Sequence, residues 1–446
     1  MQRRRAIIIG AAGRDFHNFL TAFKDDPATE VVAFTAAQIP GIADRAFPAA
    51  LAGPRYAAGI PIEAEDDLER LIREHGVHEC VFAYSDVSYD HIGHLAARCQ
   101  QAGADFRLLG PHRTMIKSVR PVVSVCAVRT GCGKSAFSRA VVATLARTGV
   151  RVVAIRHPMP YGDLARQGVQ RFASIGDLKE HDCTIEEMEE YEPHIVAGGI
   201  IYAGVDYAAI LRAAEQEADI VVWDGGNNDL PFYRSDCEIV LADPHRAGDE
   251  LRYYPGESNL RRADVVILSK SDTASAADLE TVRRNVAAVN PGARVIEGGL
   301  PLDVEGGLER LNGKRVLCIE DGPTLTHGGM KYGAAVLAAQ QAGATLVDPR
   351  PYAVGSIAET FRTYPEVGVL LPAMGYGASQ MSDLQATVAA AECDVVAIGT
   401  PIDLARVIEL SKPTIRVRYE FAVRRGPSLE EVLAPLVEWA RQGSGD

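Results

Sequence analysis

Apolar residues in this chain fall in short unbroken runs, set apart by polar and glycine-containing stretches. Near the start the runs are Ala6–Gly10, Val31–Thr35, Cys80–Tyr84 and Phe106–Leu109. A continuous apolar run bounded by turn residues reads as a strand buried on both faces, the condition of a parallel sheet. Between the runs, patterns of helical period predict helices at Phe16–Lys24, Glu65–His75 and Tyr89–Ala102. Strands alternating with helices predict a parallel α/β architecture. Residues 1–118 read as a Rossmann-like N-terminal domain.

The stretch from Gly110-Pro111-His112 to Arg120 reads as a linker. Beyond it the alternation resumes, with strands predicted at Val122–Val128, Arg151–Arg156, Ile220–Asp224, Ile239–Ala242, Val265–Ser269 and Arg294–Glu297. These place a second α/β domain at 119–305. A third α/β region, 306–446, carries strands at Val316–Glu320, Thr345–Val347, Val367–Leu371, Val395–Ile398 and Thr414–Val417. It either stands alone or packs as one body with the second. No fixed-period repeat or low-complexity tract is present.

Composition narrows the class. The 446 residues suffice for two or three domains of roughly 100–200 residues each. With 47% hydrophobic and 24% charged residues, an ordinary core forms without a disulfide or metal staple. A net charge of −13 argues against nucleic acid as the main partner, because phosphate backbones need a basic footprint. The eight cysteines form no CxxC pair, which argues against a zinc site or a disulfide framework and predicts reduced, mostly buried thiols in a cytoplasmic protein. The basic Met1–Arg5 runs into an apolar stretch too short for a signal segment. No run approaches the roughly 18 apolar residues of a membrane span.

The strongest chemical signal is Arg129-Thr130-Gly131-Cys132-Gly133-Lys134-Ser135, which follows an apolar strand and precedes a predicted helix, Ala136–Thr148. Strand, glycine loop, Lys-Ser and helix together are the context of a P-loop. Backbone N–H groups from Thr130 to Ala136 would cradle phosphate oxygens, helped by the helix N-terminus. Lys134 would reach the β- and γ-phosphates and Ser135 would ligate Mg2+. Val128 stands where the usual GxxxxGK[ST] pattern has its first glycine. The loop fits the variant KGGxGK[ST], with Arg129 and Thr130 as substitutions. Downstream, Ala218–Asp224 is an apolar run ending in a carboxylate, so Asp224 would hold Mg2+ directly or through water. Asn227 and Asn228, in the loop that follows, are candidates for the substrate or the γ-phosphate.

Weaker elements surround these. Ser269-Lys270-Ser271-Asp272 resembles the NKxD base-reading motif, with Lys270 and Asp272 as base contacts, and leaves ATP and GTP both open. Arg156-His157, after the second strand of the P-loop domain, offers a planar fork for phosphate and a proton relay, and Asp163 a further carboxylate near the metal. In the glycine-rich loop Glu320–Gly333, His327 and Lys331 form a candidate anion site; a plain strand–helix connection is the equal alternative. Gly10-x-x-Gly13 is not a dinucleotide fingerprint, and Arg14-Asp15 beside it is a weaker candidate again. The acidic run Glu186–Glu192 reads as a solvated helix face.

Taken together, Val128–Ser135, Arg156–Leu164, Trp223–Phe232, Asp243-Pro244-His245-Arg246 and Glu320–Ala334 resemble the cyclic 2,3-diphosphoglycerate synthetase family, across essentially the whole chain. The resemblance implies a SIMIBI-type P-loop, a homodimer, and ATP-dependent closure of an intramolecular phosphoanhydride on 2,3-diphosphoglycerate or a related phosphorylated acid. It implies Lys134, Arg129, Asp224, Arg156 and His157 as the catalytic set, with Arg129, Arg156, His157 and Lys331 contacting the acceptor. The competing expectations are a SIMIBI-class regulatory or chaperone GTPase and a nucleotide sensor without turnover.

Overall fold

The computed structural model describes residues 3–11, 13–37, 45–157, 164–226, 229–321, 332–373, 378–406 and 408–442. Among these, the strands form three large sheets and one two-stranded ribbon. The first sheet runs in the spatial order Arg45–Phe47, Ile60–Ala64, Thr29–Ala36, Arg4–Ile9, Glu79–Phe82, Asp105–Leu108. It is parallel except for its first pair. Period-two alternation sorts its central strand between two cores: Ile8 enters one, Ile7 and Ile9 the other.

The second sheet has the order Val169–Phe172, Ile200–Gly204, Val152–Arg156, Ile220–Asp224, Val122–Ala127, Cys237–Ala242, Val265–Leu268, Arg294–Gly299, Ala422–Arg425. Its inner strands are parallel, and the strand at each edge is antiparallel. The third sheet is built on Arg315–Asp321, flanked by Val395–Ile398, Thr414–Tyr419 and Leu302–Val304 on one side. Thr345–Leu346 and Leu371–Ala373 pair with opposite ends of Arg315–Asp321.

The end of the chain returns to the second sheet. Helix Leu429–Gln442 buries Leu429, Val432, Leu433, Leu436, Val437 and Ala440 in that sheet's core, at the spacing of one helical face. The first and second sheets are also tied. Val87–Ser88 pairs antiparallel with Tyr253–Tyr254, Tyr254 closes one core of the first sheet, and Leu164 and Val205 close the other.

Some sequence expectations shift. The helix expected at Phe16–Lys24 is a short α-helix, Arg14–Asn18, continued by a π-helical turn, Phe19–Phe23. The strand expected at Val367–Leu371 forms at Leu371–Ala373. Of the eight cysteines all but Cys393 are buried, and all are free thiols. Among the described residues no helix is long and apolar enough to cross a membrane.

Candidate active site

Strand Val122–Ala127 leads through the glycine loop into helix Lys134–Arg147. Gly131 and Gly133 adopt φ of 81° and 89°, which side-chain-bearing residues avoid. A Cβ on Gly133 would also lie 2.6 Å from Leu300 Cδ1. The loop is held from behind. Lys270 Nζ donates to Gly131 O at 2.7 Å, and Arg246 donates to Thr130 O at 2.7 Å. Both cations pair with buried Asp243, at 2.8 and 3.2 Å. Because a trans peptide points its C=O and N–H in opposite directions, anchoring these carbonyls turns the N–H groups of Gly131 and Cys132 to the other side. Burial alone would raise the Asp243 pKa, but Lys270 and Arg246 hold it below the usual carboxylate value. Lys270 keeps a φ of 54°, a strained conformation fixed by its two bonds.

Asp224 closes strand Ile220–Asp224 and is the hub of the site. Its Oδ1 receives Lys134 Nζ at 2.6 Å, Ser138 Oγ at 2.8 Å and an Arg156 guanidinium nitrogen at 3.0 Å. Lys134 and Ser138 share one face of their helix at i,i+4. His194 Nε2 stands 3.5 Å from Oδ2, which is buried and accepts no hydrogen bond among the described residues. Burial would push the Asp224 pKa up; the charges of Lys134 and Arg156 and the His194 contact hold it well below its ordinary value. Lys134 is shifted down, by burial and then by Arg156. An incoming triphosphate would therefore compete with Asp224 for the ammonium group.

The acidic run corrects the sequence reading. It lies on helix Ile185–Val196, and Glu187, Glu189 and Glu192 are buried rather than solvated. Glu190 Oε1 pairs with Arg156 at 2.6 Å, and Glu192 accepts from Asp403 N at 3.3 Å. Burying the Arg156 guanidinium requires anionic partners, and this helix supplies one.

His157 follows Arg156 directly. Its Nδ1 lies 2.6 Å from Asp229 Oδ2, and both residues are buried. A Cβ on Gly226 would come within 2.6 Å of the His157 side chain, so glycine is required for this approach. The first sheet's turn completes the surroundings. His17 stacks on Phe232 at 4.0 Å with its Nε2 2.7 Å from Thr114 O, and Arg14 bonds Leu230 O at 3.2 Å and Thr114 Oγ1 at 2.9 Å.

Lys134, Asp224 and Arg156 thus come together, with Ser135 and Ala136 in the same first helical turn as Lys134, while His157, next to Arg156 in the chain, pairs with Asp229. Arg129 stands apart from this group. It is clamped between Asp86 and Asp249, each at 2.6 Å, and lies over the Tyr253 ring at 3.5 Å. Asp272 is exposed, beside Gly299, while Lys270 braces the loop. Asp163, Asn227, Asn228, His327 and Lys331 lie outside the described residues. No group of three or more His, Cys, Asp or Glu among the described residues forms a metal cage. The unbonded Asp224 Oδ2 fits a single acidic metal ligand. Sequence reasoning missed Ser138, Glu190, His194 and Asp229; the i,i+4 spacing of Lys134 with Ser138, and of Glu190 with His194, was the available signal.

A strand, a glycine loop opening a helix, a lysine and a strand-end aspartate have the layout of a P-loop. The chain belongs to the arginine synthetase ArcE family: it is 58% identical to arginine synthetase ArcE of Thermococcus kodakarensis over 441 residues, 99% of this chain and 98% of that protein. The resemblance to cyclic 2,3-diphosphoglycerate synthetase is distant and partial. The protein of that name from the same organism is 23% identical over 253 residues, 51% of this chain and 58% of the relative. No protein-family model matches the chain. Among solved structures, the "apo" form of LpxK from Aquifex aeolicus, in complex with ATP, aligns with 73% of this chain and 90% of its own at 15% identity and a TM-score of 0.43.

Proposed function

We propose that this protein is an ATP-dependent ligase that makes arginine. The observation that carries phosphoryl transfer is the convergence of Lys134 and Arg156 on buried Asp224 at the mouth of the glycine loop. The arginine product rests on kinship with ArcE across the whole chain. The simplest precursor by chemistry is the ureido acid citrulline, which carries oxygen where arginine carries its terminal nitrogen. ATP would phosphorylate that oxygen, and ammonia would displace it, giving arginine, ADP and phosphate. Lys134 and Arg156 neutralise charge on the transferring group, where fixed cations act most strongly. Ser135 and Asp224 would hold Mg2+, which when bound screens the β- and γ-phosphate oxygens.

Full-length protein with Mg-ATP, citrulline and ammonium should form arginine and ADP in equal amounts. Failure to form arginine, with ATP or with GTP, sinks the ligase reading. Phosphorus NMR of a parallel reaction with 2,3-diphosphoglycerate tests the activity of the distant relative; a cyclic product there, without arginine in the first reaction, would replace this proposal. Hydrolysis indifferent to either acceptor and stimulated by a protein would favour a regulatory GTPase.

A further inference from the structure

We propose that His157 and Asp229 are the proton-accepting pair for the nitrogen nucleophile: Asp229 holds the ring through Nδ1, and Nε2 takes the proton. This rests on the ligase reading above. Ammonia is mostly ammonium at neutral pH, so its lone pair must be freed before a C–N bond can form. The other acidic groups of the site are committed to cations, Asp224 to Lys134 and Arg156, and Glu190 to Arg156. His157 differs, because its partner is an anion, Asp229 Oδ2 at 2.6 Å. An anionic partner on one ring nitrogen stabilises the imidazolium that forms when the other accepts a proton.

Position supports the assignment. Arg156 pairs in register with Asp224 across adjacent strands, so the next residue, His157, stands at the carboxyl ends of the strands, the end where open α/β sheets bind their ligands. The Nδ1 and Oδ2 atoms are both buried, and among the described residues neither bonds to any further group. Among the described residues, the groups that face the pair are Arg14 and His17 from the helix Arg14–Asn18, Tyr207, Tyr254 and Cys126, and the Phe232 ring at 5.9 Å. His17 does not compete as a base, since burial and then Arg14 depress its pKa well below the ordinary histidine value.

The step balances as follows. Ammonium gives one proton to His157 Nε2. The freed lone pair bonds the phosphorylated ureido carbon, the C–O bond to phosphate breaks, and its electron pair leaves with phosphate. The His157 proton passes to the departing phosphate or to water.

Hydroxylamine, which is already unprotonated at neutral pH, needs no such base. The test compares hydroxylamine with ammonium as nucleophile in full-length wild type, His157→Gln and Asp229→Asn. General-base removal typically costs about 100-fold or more. The ratio of the hydroxylamine rate to the ammonium rate should therefore rise about 100-fold in His157→Gln, and rise in the same direction in Asp229→Asn. Equal loss with both nucleophiles, or an unchanged ammonium rate, overturns the proposal. If Asp229→Asn fails to fold, Asp229→Glu and His157→Gln decide. If the wild type forms arginine while these ratios stay flat, the base assignment alone fails; if it forms none, the ligase reading fails first.

Discussion

At the scale of single residues, Asp224 and Lys134 are not symmetric partners. Asp224 compensates two buried cations, so Asp224→Asn strips Lys134 of this ion pair and leaves Arg156 with Glu190 as its acidic partner among the described residues. Removing one side of a buried ion pair costs about 3–5 kcal/mol, and urea denaturation of Asp224→Asn should show a loss of that order. Lys134→Ala leaves the carboxylate with Arg156 and Ser138, so the same measurement should find the fold largely intact. Under the proposed ligase reading its turnover should fall by about 100-fold or more, because a fixed cation for the transferring phosphate would be lost. An active Lys134→Ala enzyme would refute the P-loop assignment. Lys134, Asp224 and Arg156 were legible in the sequence because each ends a strand or opens a helix beside a glycine loop. Glu190 and Asp229 were not, since a run of glutamates is ordinarily solvated. The tertiary packing of Tyr191 and Ile195 in a core and the pairing of Glu190 with buried Arg156 turn that helix inward.

At the scale of elements, strands with apolar residues on both faces were readable, and Ile220–Asp224 and Val395–Ile398 form where the runs predict. Edge strands were not: Val169–Phe172 buries only every second residue over four positions, too short a pattern to separate from a loop. The contact between the Arg14–Asn18 helix and the Trp223–Phe232 segment was equally hidden, because neither piece signals the other. His17 at this contact makes it sensitive to pH. The folded chain holds His17 well below its ordinary value of 6.5, so in the window beneath that value the unfolded chain binds a proton the folded chain does not. Stability from this group is therefore full above about pH 6.5 and falls as the pH drops through that window. Melting curves taken between about pH 8 and about pH 5 should show this loss in wild type and a flatter slope in His17→Gln, whose amide can still donate to Thr114 O. An identical slope in the two proteins would remove His17 as the source.

At the scale of the whole molecule, Arg129 ties the nucleotide loop to the first sheet. Asp86 follows that sheet's strand Glu79–Phe82, pairs with Arg129 at 2.6 Å and accepts from Thr130 N at 3.3 Å. It also donates its own N–H to Tyr254 O at 2.9 Å, where the two-stranded ribbon begins. Asp86 keeps a φ of 62°, in the left-handed region that aspartate enters more readily than most side-chain-bearing residues. The first sheet's two cores are closed by Leu164, Val205 and Tyr254 from beyond that sheet, so apolar packing as well as the ribbon holds it in place. A loop whose backbone and arginine are both bonded to Asp86 has a shape that depends on how that sheet is held. Asp86→Asn keeps the side-chain volume but weakens the pull on Arg129 and Thr130. Calorimetric titration should find ATP bound about 10-fold more weakly, a change of about 1.4 kcal/mol, although position 86 lies outside the glycine loop. Removing Arg129 as well should add little further loss, because both changes break the same link. Additive losses in the Asp86→Asn, Arg129→Ala double mutant would instead show that Arg129 contacts the nucleotide directly.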